Sequence, residues 1–157
     1  MLLRSILSLF LLFAANGALA QGDCRTPADL QALANGLGQG VNAARQGQGL
    51  RALRADRNLM QAAQIHACDI ARHGRMTHQG GDGSNSAQRA ERAGFDTCLT
   101  AENLAWGFPR AEQIVAGWLG SAGHRRNILL DRATHYGIGI AEGPQGPMWV
   151  MLYARQC

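Results

Sequence analysis

The 157-residue chain contains no lysine: all fifteen of its positive side chains are Arg, set against eleven acidic residues, for a formal charge of +4. That absence removes whole mechanisms. A phosphate-cradling Walker lysine, a Schiff-base lysine and a Ser-x-x-Lys nucleophile pair are all excluded. His-Glu-x-x-His is missing, and with it the commonest zinc-protease signature. Gly-x-Ser-x-Gly is missing too, since Leu119-Gly120-Ser121-Ala122-Gly123 has Leu where the first Gly belongs. No Cys-x-x-Cys occurs, which argues against a thiolate zinc site or a redox motif. The Arg residues are scattered, with Arg125-Arg126 the one adjacent pair, so no basic stripe for nucleic acid exists. Charged residues amount to 17% and hydrophobic ones to 46%, the balance of a folded domain and not of a disordered chain.

Beyond the N-terminus no apolar run is long enough to span a bilayer. Residues 1–20 read as a signal peptide: Arg4 gives the positive start, Ile6 to Ala15 the apolar centre, and Ala18-Leu19-Ala20 the cleavage pattern. The expected product is residues 21–157, a single domain, secreted or periplasmic, with fourteen Arg against eleven acids. Its four cysteines, Cys24, Cys68, Cys98 and Cys157, predict two disulfides with three possible pairings. The pairing 24–157 with 68–98 is favoured, because it ties the two ends together and pins an internal loop to a helix.

Thr26-Pro27 reads as a helix start, and Leu30, Leu33, Leu37, Val41 and Ala44 share one face. Gly36, Gly38 and Gly40 weaken that helix by about 1 kcal/mol each relative to Ala. The strongest pattern runs from Asp56 to Arg72, with Leu59, Ala62, Ala63, His66 and Ile70 in line and Gly74 as a stop. His66 on that stripe reads as a hydrogen-bonded core histidine, and His73 and His135 as surface or loop histidines. A short helix capped by Ser84 or Ser86 ends at Gly94. Another carries Ala111, Ile114, Val115, Trp118 and Leu119, after which Ser121 caps a turn or two through His124. In the C-terminal third the period changes to two: Tyr136, Ile138 and Ile140 alternate with Gly137, Gly139 and Ala141. Bare strand positions imply that another element approaches the backbone there. Met148 to Tyr153 is almost continuously apolar, as in a strand covered on both faces.

Several motifs fall in a telling order: Met76-Thr77-His78, then Ala101-Glu102-Asn103-Leu104-Ala105-Trp106-Gly107, then Ser121-Ala122-Gly123-His124-Arg125-Arg126-Asn127-Ile128-Leu129, then Tyr136-Gly137-Ile138-Gly139. Over residues 38–154 this order resembles the CAP superfamily of cysteine-rich secretory proteins, antigen 5 and pathogenesis-related class 1 proteins, in its compact bacterial branch. The resemblance implies an α+β fold: a three-layer α-β-α sandwich with a mainly antiparallel central sheet and a C-terminal β-hairpin. It implies a cleft where His78 and His124 hold one divalent metal, zinc foremost, weakly. Glu102, Asn103 and Ser121 would line that cleft. Ser121 stands where the family has a second glutamate, so the usual quartet of two His and two Glu is incomplete. The implied function is a monomeric, non-enzymatic binding module for a lipid, a sterol, or an envelope or host protein. The alternative is a metal-dependent hydrolase using His78, His124 and Glu102 on an activated water.

Overall fold

The computed structural model describes residues 24–157, so the expected signal peptide lies outside the described residues. The elements run α1 (Leu30–Gln46), β1 (Arg54–Ala55), α2 (Arg57–His73), α3 (Ser86–Arg92), β2 (Thr97–Trp106), α4 (Ala111–Gly120), α5 (Ala122–Ile128), β3 (His135–Gly143) and β4 (Gly146–Gln156). The strands form one sheet in the order β1-β3-β4-β2. β4 is antiparallel to both neighbours, whereas the short β1 lies parallel to β3. The sheet is therefore mixed, although its three long strands are antiparallel as expected.

Strand β4 explains the layering. Trp149, Met151 and Tyr153 point into a cluster with Leu37 and Val41 of α1, Ile114 and Trp118 of α4, and Ile128 of α5. Met148, Val150 and Leu152 point the other way, to Ala62, Ala63, Ala67 and Ile70 of α2. Helices cover both faces, the three-layer sandwich that a doubly apolar strand demands. The bare positions of β3 are filled by α2. A Cβ on Gly137 would fall well inside 3.0 Å of the Leu59 and Met60 main chain, and one on Gly139 would strike that of Ala63 and Gln64.

Local signals account for both ends of α2 and the start of α3. Asp56 accepts from Asn58 and Leu59 N–H at 2.9 and 3.0 Å, and Gly74 closes α2 in the left-handed conformation at φ 63°. In α3 the cap is Asn85, not Ser84 or Ser86, in a reciprocal capping box with Gln88. Helix α1 starts at Leu30, later than Thr26-Pro27 predicts, after a turn in which Leu30 N–H donates to the Pro27 carbonyl at 3.1 Å. The glycines that weaken α1 permit close packing. Side chains at Gly36 and Gly40 would crowd Ala111 and Val115 of α4, and one at Gly38 would strike Tyr136.

The disulfides join Cys24 to Cys68 and Cys98 to Cys157, with Cα separations of 5.3 and 5.0 Å. This corrects the favoured pairing of 24–157 and 68–98. The cause is strand register. Thr97 of β2 pairs with Gln156 of β4, which sets Cys98 beside Cys157. At the other end of the chain, the Arg25 carbonyl accepts the Glu142 N–H at 2.7 Å, laying Cys24 along β3 and next to α2. Gln64 completes that edge: its side-chain amide donates to the Ile140 carbonyl and accepts the Ile140 N–H, both at 3.0 Å.

Candidate functional site

Two adjacent residues of β2 project to opposite faces of the sheet and build two different structures. Asn103 faces α5 and is fully buried. Its amide donates to the His124 carbonyl and to the Tyr153 hydroxyl, each at 3.1 Å, and its oxygen accepts from Asn127 at 2.9 Å. Asn127 also donates to the Glu102 carbonyl, and Trp118 donates to that of Leu104, each at 3.1 Å. These bonds satisfy the outer edge of β2 with side chains and hang α5 on it. Arg45, buried in α1, holds the other end of α5 by donating to the Ile128 and Leu130 carbonyls at 2.7 and 2.9 Å. Asn103 is thus a buried long-range fastener, where the family resemblance implied a cleft-lining residue. Trp118 is buried and Trp106 half-buried, so both wall the core.

Glu102 faces the α2 layer with 6% of its surface exposed. Arg89 of α3 donates to Oε2 at 2.6 Å, and His78 Nδ1 lies 2.9 Å from Oε1. His66 Nε2 lies 3.6 Å from the same oxygen and 2.9 Å from the Thr77 carbonyl. The chemistry of these partners fixes both rings. Carbonyl and carboxylate oxygens only accept, so His78 is protonated at Nδ1 and His66 at Nε2. His78 consequently presents Nε2, with its lone pair, on a side chain that is 65% exposed. In His66 the lone pair sits on Nδ1, which is buried without a hydrogen-bond partner.

The histidines are pushed in opposite directions. The bond to Glu102 raises the pKa of His78 above its ordinary value of 6.5. Burial lowers that of His66, outweighing the attraction of Glu102. His124 is lowered by burial and then by the charge of His78, which places the two rings within electrostatic reach of each other. The His124 ring stands 6.2 Å from that of Trp118. His73 is an exposed partner of Asp69 at 3.1 Å, and His135 meets Phe95 edge-on at 5.5 Å. Neither joins the site.

Of the residues expected in a cleft, His78 and Glu102 are in direct contact. Ser121 stands at the start of α5 but makes no side-chain capping bond, contrary to its reading as a cap. Among the described residues, no group of three or more His, Cys, Asp or Glu is arranged to hold a metal ion. Both oxygens of Glu102 are already engaged, by Arg89 and by His78. Arg89 is the residue that sequence reasoning missed. It occupies a short helix among Gln88, Glu91 and Arg92, and no periodic signal marks it as the one charged side chain there that turns inward.

A model of the cysteine-rich secretory protein family (CAP) matches residues 39–153. The Bacillus subtilis protein YkwD is 32% identical over 113 residues, which is 72% of this chain and 43% of that protein. A second B. subtilis relative, the membrane protein YlbC, is 29% identical over 100 residues, 64% of this chain and 29% of its own. This chain therefore spans less than half the length of the curated relatives it matches. An outer surface protein from Borrelia burgdorferi superposes with a TM-score of 0.77 at 20% identity, covering 86% of this chain and 100% of that one. An extracellular protein containing an SCP domain from Bacillus anthracis gives 0.71 at 24% identity, over 86% of this chain and 45% of that one. At these identities the superpositions bear on the fold.

Proposed function

Because this chain belongs to the cysteine-rich secretory protein (CAP) family, matched over residues 39–153, we propose that it is an exported, non-enzymatic binding module directed at a lipid or at an envelope or host protein. Its cleft holds a divalent cation, zinc foremost, between His78 and His124. The observation that carries this reading is the Glu102–His78 contact at 2.9 Å. A carboxylate bonded to one imidazole nitrogen orients the ring and leaves the other nitrogen basic, the arrangement that supports metal-binding histidines in general. His124 is biased toward the neutral form that a metal needs. The donor set fits an ion held by two histidines and completed by solvent, so binding is weak and exchangeable, unlike that of a four-ligand structural zinc. Glu102 is tied to Arg89 at 2.6 Å and is poorly placed to serve as a general base, which favours binding over hydrolysis. Export is supported by the two disulfides, which persist in oxidising compartments.

Metal analysis and titration calorimetry on wild type, His78→Ala and His124→Ala test the reading. Wild type is expected to take up about one zinc reversibly, and each variant to lose it while staying folded. Unaltered zinc content in the double variant would remove the cleft assignment. Peptide or ester hydrolysis that disappears in both variants would replace the binding module with the hydrolase.

A further inference from the structure

We propose that Arg89 is the positioning residue of this site: by orienting the side chain at position 102, it dictates which ring nitrogen of His78 carries the proton. One guanidinium grips His78 at both ends. Nη1 donates to the His78 carbonyl at 3.3 Å and to the Ser84 carbonyl at 2.8 Å, fixing the loop's main chain. Nη2 donates to Glu102 Oε2 at 2.6 Å, so that Oε1 is turned to the His78 ring. Arg89 is itself 6% exposed, and its contacts join α3, the loop before it and β2.

The control follows from hydrogen-bonding capacity. A guanidinium has five donors and no acceptor, so whatever group occupies position 102 must turn an oxygen toward Arg89. With glutamate there, the second group facing His78 is also an oxygen, and Nδ1 must donate. An unrestrained neutral imidazole exchanges between its two tautomers; here one is selected. Replacing Glu102 by glutamine separates Arg89's influence from shape. Arg89 takes the single amide oxygen, the NH2 group faces His78, and Nδ1 must now accept. The His78 proton then moves to Nε2, and the lone pair leaves the cleft. Were Arg89 without control, the glutamine would turn its oxygen to His78 and leave the tautomer unchanged.

Only the zinc readout of this inference rests on the cleft reading; the tautomer is read in metal-free protein. The experiment is a long-range proton–nitrogen correlation spectrum of the full chain, labelled with 15N-histidine, at alkaline pH. Wild type is expected to show His78 protonated at Nδ1, Glu102→Gln to show it at Nε2, and the double variant Glu102→Gln/Arg89→Gln to show a mixture, since an amide freed from Arg89 can present either end to His78. His124 should be unaltered in all three. Zinc affinity in Glu102→Gln should fall about tenfold or more, as for other groups that orient a metal-binding histidine. Retention of the Nδ1 proton in Glu102→Gln overturns the proposal, as does an Nε2 proton on His78 in wild type. If the double variant does not fold, the near-isosteric Glu102→Gln decides alone. A flipped tautomer with no zinc uptake by wild type upholds Arg89 and refutes the metal reading.

Discussion

Gly137→Ala adds one methyl group at the tightest of the described glycine positions. The new Cβ would meet the carbonyl carbon and oxygen of Leu59 and the nitrogen of Met60, atoms in the first turn of α2 that no side-chain rotation can move. Ordinary carbon contacts need about 3.5–4.0 Å, so α2 must retreat from β3 by roughly an ångström or more. A gap of that size forfeits about a quarter to a half of each dispersion contact it opens. The contacts at stake are those of Ala62, Ala63, Ala67 and Ile70 with Ala141, Val150 and Leu152. Core overpacking costs about 1–3 kcal/mol, and because main chain is struck the cost here should reach about 3 kcal/mol or more. Gly117→Ala is the control: it lies in α4 with nothing within 4 Å of the added Cβ. It should gain up to about 1 kcal/mol of helix propensity. Urea unfolding distinguishes them. With m near about 2 kcal/mol/M, the midpoint should fall by roughly 1.5 M for Gly137→Ala and rise for Gly117→Ala, at constant m. A Gly137→Ala midpoint equal to wild type would refute the close-approach reasoning.

Asn103→Ala strips partners from the His124 carbonyl, the Tyr153 hydroxyl and the Asn127 amide. At about 1–3 kcal/mol for an unsatisfied buried group, it should cost about 3 kcal/mol overall and raise amide exchange throughout α5. Nonreducing peptide mapping should return Cys24–Cys68 and Cys98–Cys157. Removing the second pair, which closes a separation of 59 residues, should cost about 4 kcal/mol at most in the chain-entropy model. Stability should fall as pH drops below about 6.5, because burial depresses His66 in the folded state and only the unfolded chain takes up the proton. His66→Gln, which retains a donor for the Thr77 carbonyl, should flatten that slope in urea midpoints measured between pH 7 and 5. His78 has the opposite sign: its contribution is full below about 6.5 and is lost as pH rises through its raised value.

The layers were legible wherever a pattern had a single structural solution. Alternation at Tyr136 to Ala141 announced a close approach, and an unbroken apolar run at Met148 to Tyr153 announced two covered faces. The motif histidine and glutamate, His78 and Glu102, are in contact at 2.9 Å, a pairing that no local pattern announces. What stayed hidden depends on partners distant in sequence. Four cysteines permit three pairings, and the choice was made by the β2–β4 register. β1 is two residues long and carries no period. Arg45 and Arg89 look like surface charges, because nothing in a one-dimensional pattern shows that carbonyls and a carboxylate wait for them in the interior.

The amide of Gln64 behaves as a single-residue strand. It offers Ile140 a donor and an acceptor, while the Arg25 carbonyl accepts the N–H of Glu142 two residues along. The sheet margin beyond β1 is therefore closed to β-strand addition by another chain, the usual route from an open edge to aggregation. This closure is redox-dependent at one point, since the Cys24–Cys68 bond anchors the segment that carries Arg25. Reduction would release that segment and uncover the Glu142 N–H of β3. In a reducing compartment the molecule would lose this cover, so the Cys24–Cys68 bond protects a sheet edge as well as closing a loop.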